Sequence, residues 1–294
     1  MSDTTASLLQ KIGSASDLHG VVRTMKAVAA SSVGQYENAV RSLDHYYHTV
    51  QLGLAACFRD PEIRDTQAGL SPAKNGSIIA IVFGSDQGLV GQFNEVIVDF
   101  VLANLEEISA EKSVWVVGER AGSRLEDSVL ECGVHFQLPG SIQAISPLIA
   151  TILTEIEERR KRNEIKEIYI FHNRPIGSAS YGPVRQRLLP LDETWSDELK
   201  VLPWPTKLPP EVMNGAKNTL PALVREYLFV SLFRACAESL ASENTSRLAA
   251  MQRAEKNIDG LLEDMTRAYH TLRKGNIDAE LFDLIAGFES LKKI

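Results

Sequence analysis

All twelve prolines of this 294-residue chain lie between Pro61 and Pro221, so the first sixty residues contain none and neither do the last seventy-three. A proline inside a helix costs ~3 kcal/mol, more than any other residue. Both ends are therefore free to form long helices, and the middle must hold the turns. Charge divides along the same lines. Residues 1–60 carry five basic and five acidic side chains and residues 215–294 carry eleven of each, so the net charge of −7 sits on residues 61–214, where 15 basic face 22 acidic groups. An acidic middle between neutral ends lacks the concentrated basic face on which nucleic-acid binding depends.

The ends also carry a helical period. Val22, Ala29, Tyr36, Leu43, Val50 and Cys57 recur every seven positions, with Val33, Val40, Tyr47 and Leu54 as a second row. Alternating steps of three and four make a coiled-coil seam. A third row of small residues, Ala6, Gly13, Gly20, Ala27 and Gly34, suggests close approach of another backbone, with chance spacing as the alternative. The C-terminal segment repeats the pattern with Leu223, Val230, Ala237, Met251, Ile258, Met265 and Leu272, beside Tyr227, Ala241, Leu248, Leu262 and Tyr269. Arg234, Asn244 and Glu255 interrupt these rows, and polar seam residues give up stability to fix register.

At ~1.5 Å per residue, a 75-residue helix is about 110 Å long, against a radius of gyration of ~15 Å for a compact domain of 150 residues. The longer helix must project beyond any such globule. The expected organisation is an N-terminal helix over 1–60, an α/β domain over 61–214, and a C-terminal helix over 215–294 that pairs antiparallel with the first.

In the middle, Ser77–Gly84, Val114–Gly118 and Glu167–His172 read as buried strands, and Val184–Leu191 as an edge strand. Helical spacing over Asn94–Ile108 and Ser146–Arg162 makes strand and helix alternate, which predicts a small Rossmann-like domain with a mainly parallel sheet. No window approaches the ~20 apolar residues that cross a bilayer, and the N-terminus lacks signal or transit character, so the chain is expected to stay in the cytosol as made. Cys57, Cys132 and Cys236 lie far apart without a CxxC pair, which argues for buried thiols rather than a disulfide or zinc site.

Only the stretch from Gly84 to Asn94 looks like chemistry. Glycines between a strand and a helix can bring backbone amides to a phosphate, yet no GxGxxG or GxxxxGK[ST] is present and no lysine follows. A tight turn without a ligand is favoured over a nucleotide pocket. His172 has no acidic or nucleophilic partner at motif spacing and reads as a packed or surface histidine. Arg159-Arg160-Lys161-Arg162 reads as a solvated helix C-terminus. No catalytic residue, metal site or cofactor is expected.

Several motifs resemble those of the γ subunits of F-type rotary ATP synthases. Thr24 to Ser31 (TMKAVAAS) is similar to the family's "AM.MVAA", and Ser85 to Asn94 (SDQGLVGQFN) to its "SDRGLCGGFN". Glu238 to Asn244 with Arg247 to Met251 resembles "ES.ASE..ARM.AM", with Asn257 in the place of a following asparagine, and Leu188 to Leu191 fits "LLPL". The resemblance implies a rotor shaft inside a hexamer of α and β subunits, with the α/β domain as a foot beside the ε subunit on the membrane c-ring. The chain would lie on the cytoplasmic face of the bacterial inner membrane, peripheral to it, as a non-catalytic subunit of the enzyme. It further implies that Met25, Lys26, Arg247, Arg273 and Lys274 approach β, and that Ser85, Asp86, Gly88, Gly91 and Asn94 form a turn of the foot.

Some positions depart from the family. Lys274 replaces a glutamine; Asp17, His19, Gly20 and Ser32 stand where lysines are usual; Leu202-Pro203-Trp204-Pro205 replaces a Tyr-x-x-Glu-Pro stretch; and the tail Phe288–Ile294 is charged. These departures resemble the alternate F-type ATPases of bacteria. The rival reading from the enzyme class is a nucleotide-binding α/β protein with a coiled-coil dimerisation stalk, using Ser85 to Asn94 as its phosphate loop; a plain coiled-coil adaptor is a third.

Overall fold

The computed structural model describes residues 4–60, 76–108, 110–127, 132–177, 180–191, 193–208, 210–213 and 215–291. Helix α1 runs from Thr5 to Arg59 and helix α6 from Ala216 to Leu291. Between them lie β1 (Ser77–Phe83), α2 (Phe93–Glu106), β2 (Lys112–Val117), α3 (Glu119–Glu126), β3 (Cys132–Phe136), α4 (Ile142–Lys161), β4 (Ile165–Ile176), β5 (Ser180–Leu189) and α5 (Glu193–Lys200). Residues 61–75 and 292–294, where the α/β domain was expected to begin and the charged tail to end, lie outside the described residues, as do the side chains of 288–291.

Pro221 lies inside α6, contrary to the expectation that no proline interrupts the C-terminal helix. It is tolerated because it falls near the helix start on the exposed side, where the carbonyl it leaves without a donor faces water. Pro147 does the same in α4, whose helix begins at Ile142, a turn before the expected start. β3, α3 and α5 are elements that the sequence pattern does not announce.

The chain divides into two compact units, one from the stretches up to Ala29 and from Leu248 onward, the other spanning Ala30–Arg247. In the first, α1 and α6 pair antiparallel: His19 faces Asp259 at 3.1 Å and Lys26 is ion-paired with Glu255. Val22, Met251 and Ile258 form the buried seam, with Met25, Ala254 and Leu262 packed against it.

The larger unit is built on a five-stranded sheet of order β3-β2-β1-β4-β5, parallel except for the antiparallel edge strand β5. Side chains alternate between its faces as the pleat requires. Ala80, Val82, Val114 and Val116 meet α2 and α3 on one face. Ile79, Ile81, Phe83, Trp115, Ile168 and Ile170 belong on the other with α4, α1 and α6. The expected heptad rows are the buried ones: Tyr36, Val50, Leu54 and Cys57 from α1, Tyr227, Val230, Ala237 and Ala241 from α6. Each large apolar side chain buried this way contributes about 1.5–3 kcal/mol.

The row of small residues is different. Ala6, Gly13, Gly20 and Ala27 are exposed, and a Cβ on Gly13, Gly20 or Gly34 would meet nothing within 4 Å, so among the described residues no other backbone approaches those glycines. Arg159 is not simply solvated either; it pairs with Glu155 at 2.8 Å and its guanidinium lies 5.1 Å from the Trp115 ring centroid.

Gly84, at the end of the central strand β1, is the most tightly enclosed of the described glycines, because a Cβ there would lie 2.2 Å from the Ala121 Cβ. Gly84→Ala should cost about 1–3 kcal/mol in urea unfolding, as overpacked cores do. Adding Ala121→Gly should recover part of that loss; simple additivity of the two losses would contradict the contact.

Candidate functional site

Burying a polar side chain is costly unless a partner replaces water. Among the described residues every buried polar side chain comes from one of three segments: Ser85 and Asn94; His172 and Asn173; and Ser231, Glu238, Ser239, Ser242, Glu243, Asn244 and Ser246. These are the turn after β1, the end of β4, and one stretch of α6. The structure brings them together.

Glu238 is the centre. His172 Nε2 lies 2.8 Å from its Oε2, Arg174 Nε donates to the same oxygen at 2.8 Å, and Arg234 Nε donates to Oε1 at 2.9 Å. Four residues on, Ser242 Oγ donates to Asn173 O at 3.0 Å, and Asn173 Nδ2 donates to Phe93 O at 3.1 Å. Ser239 Oγ donates to Phe83 O at 3.3 Å and Ser246 Oγ to Val90 O at 2.5 Å. Small residues on the same helix, Ala235, Cys236, Ala237 and Ala241, are buried with them. α6 thus lies across the carboxyl ends of β1 and β4.

That position matters for the chemistry the chain can do. In a sheet of this order, the crossovers from β1 and to β4 part in opposite directions, and the crevice beyond their carboxyl ends is where α/β folds place ligands. Here α6 fills it. The turn is equally occupied. Ser85 N–H donates to Asn94 Oδ1 at 3.1 Å, Asn94 Nδ2 donates to Ser85 Oγ at 2.8 Å, and Asp86 Oδ1 accepts the Glu119 N–H at 3.0 Å. Asp86 thereby ties the turn to the first amide of α3. Gly91, at φ 58°, needs glycine for its conformation. Gly88 has room for a side chain, since a Cβ there would come no closer than 3.8 Å to its nearest neighbour, the Arg120 guanidinium.

Of the residues that the resemblance placed near β, Met25 packs on the seam of the smaller unit and Lys26 pairs with Glu255 there. Arg247 belongs to the larger unit, where Nη2 donates to Glu243 at 2.6 Å and Nη1 to Asn244 at 3.4 Å. Glu243 is so deeply buried that its carboxyl rises above the ordinary range despite Arg247. Arg273 and Lys274 are exposed on α6. The grouping of His172, Arg174, Arg234 and Glu238 forms no sequence motif, because the His172 and Glu238 positions are 66 residues apart. Arg234, breaking an apolar row, was the available signal.

The pH dependence follows from two depressed groups. Burial lowers the His172 pKa below 6.5, so it is neutral in the fold; its contribution is complete above pH 6.5 and lost as pH falls. For Glu238, burial alone would raise the pKa, but the His172 and arginine hydrogen bonds outweigh it and lower it to about 2 from 4.5. That contribution is complete above pH 4.5 and lost as pH falls towards 2. Acidification should therefore destabilise the chain first through His172 and then through Glu238. Glu238→Gln should cost about 3 kcal/mol at pH 7, the lower end for a broken buried ion pair because the guanidinium groups keep contact with water. It should also flatten the acid limb below pH 4.5 in urea midpoints taken at successive pH values. An unchanged midpoint and limb would show that the pairing is not needed.

Comparison with known proteins accounts for the whole architecture. A family model described as ATP synthase matches residues 4–291. The ATP synthase gamma chain of Pasteurella multocida (strain Pm70) is 26% identical over 289 residues, covering 94% of this chain and 96% of the relative. That of Polynucleobacter asymbioticus is 24% identical over 299 residues, covering 97% and 98%. Among solved structures, a chain of the Euglena gracilis mitochondrial ATP synthase (OSCP/F1/c-ring, rotational state 3) matches with TM-score 0.64 at 19% identity, covering 98% of this chain and 94% of that one. A chain of the Tetrahymena thermophila mitochondrial ATP synthase central stalk and c-ring matches with TM-score 0.56 at 21% identity, covering 80% and 99%. With the family model spanning both long helices and the sheet between them, the chain belongs to the ATP synthase family, alongside its gamma chains.

Proposed function

We propose that this chain is the central rotary stalk of an F1F0 ATP synthase, coupling ion flow through the membrane rotor to nucleotide binding in an α3β3 hexamer. The observation that carries this is one helix in two environments. From residue 230 to 246, α6 is buried by its own chain on nearly every side. From 273 to 286 every side chain is exposed, including Ile277, Leu281, Leu284 and Ile285, whose spacing draws one apolar stripe. An apolar helix end that the described residues leave bare suits cover by another chain.

The work is mechanical. An asymmetric shaft touches three catalytic subunits differently, and it shifts each between open and closed states by the difference in contact energy it makes with them. Met25, Lys26, Arg247, Arg273 and Lys274 are the coupling contacts in this reading, and Arg273 suits a carboxylate because its guanidinium can bind one through two parallel hydrogen bonds. The α/β domain is the foot, contacting an ε subunit and the rotor ring. No described helix is long and apolar enough to cross a membrane, which fits a peripheral place on the inner-membrane surface, reached through other subunits.

Mixed with α and β subunits, the full chain should convert slow single-site hydrolysis into fast three-site turnover. Arg273→Ala should lower that turnover roughly tenfold, the equivalent of one charge-assisted hydrogen bond of ~1.4 kcal/mol, with helical circular dichroism unchanged. Failure of the wild-type chain to accelerate hydrolysis would sink the proposal, and full activity of the variant would remove Arg273 from the coupling contacts.

A further inference from the structure

Beside the antiparallel edge of the sheet lies an open cleft of about 680 Å³. Arg174 of β4, Arg185 of β5 and Arg234 and Ser231 of α6 line it, with Tyr47 of α1 and Asn104 of α2. The two oxygens of Glu238 hold Arg174 and Arg234 by their Nε atoms, at 2.8 and 2.9 Å, and so fix both guanidinium planes. The terminal amino groups of Arg174 have no hydrogen-bond partner among the described residues, while Arg234 offers Nη1 to Asp44 at 3.3 Å. Arg185 lies over the Tyr169 ring, 5.3 Å from its centroid.

Three guanidinium groups thus face two carboxylates, with His172 neutral behind Glu238, and positive charge is in excess. The second observation is Ser231. It is 2% exposed, and its hydroxyl has no partner in hydrogen-bonding geometry among the described residues, although it stands near enough to Tyr227 to affect that phenol's ionisation. A buried hydroxyl without a partner is a donor awaiting an acceptor.

We propose that this cleft binds a small phosphate-type oxyanion, with Arg174, Arg185 and Arg234 as charged donors and Ser231 as a buried neutral one. Oriented arginine donors match a tetrahedral anion's several acceptor oxygens. A cation would be repelled, and an apolar ligand would leave the guanidinium groups without water or partner.

The test is calorimetric titration of the full chain at low ionic strength with inorganic phosphate and, separately, with glycerol 3-phosphate. Phosphate should bind saturably at one site. Arg185→Gln, which leaves the Glu238 pairings intact, should weaken it about tenfold, and Ser231→Ala about threefold, in line with charged and neutral hydrogen bonds. Arg124→Gln, whose residue is outside the cleft, should change nothing. Equal binding of glycerol 3-phosphate would identify the ligand as a phosphoester, and binding of phosphate alone would identify the free ion. No saturable binding of either, or binding that Arg185→Gln and Ser231→Ala both leave unchanged, would overturn the proposal.

Discussion

The carboxylate of Glu238, buried between His172 and two arginines, is the contact on which the larger unit depends. A helix held to a sheet by apolar packing alone can adjust its rotation at small cost, because dispersion is non-directional. Glu238, Ser239, Ser242 and Ser246 remove that freedom. Each meets one particular group on β4, at the end of β1 or in the turn beyond it, so shifting α6 would leave several buried groups without partners. These residues specify how α6 sits, and the apolar rows around them supply the driving force.

The same joint occupies the place where sheets of this strand order bind nucleotides in other folds. The sheet's crevice is closed by α6, and the amide that opens α3 is capped by Asp86. Fold and activity are separable, and here the site that other α/β proteins use for chemistry has become an attachment point. For a rotating part this is what mechanics asks for. In the proposed central stalk, torque between the α/β domain and the long helices would pass through this joint, and hydrogen bonds of fixed direction resist twisting better than packing does.

The long helices were legible because proline placement and the seven-residue period are local and redundant; losing any one signal would not have hidden them. Three of the five strands were legible as apolar runs, and β5 as an alternating edge strand. β3 was not, since Cys132-Gly133-Val134-His135-Phe136 is half exposed at the sheet edge and carries no continuous apolar run. The turn from Ser85 to Asn94 and the Glu238 motif were visible only as separate resemblances. That they dock on one another is a tertiary fact, and neither periodicity nor composition encodes it. His172 is the packed histidine expected, and its acidic partner lies on an element far along the chain, where motif spacing does not reach. The row of small residues on α1 is a regular spacing against whose glycines no described residue packs.

Native-state hydrogen exchange on the full chain tests the central claim most directly, because it reports whether elements open together. If α6 and the sheet are one cooperative body, amides of α6 between residues 230 and 246 should exchange with the same opening free energy as those of β1 and β4, and Glu238→Gln should lower all three together. Exchange of that α6 stretch at a free energy well below the sheet's, with β1 and β4 unaffected by Glu238→Gln, would contradict it.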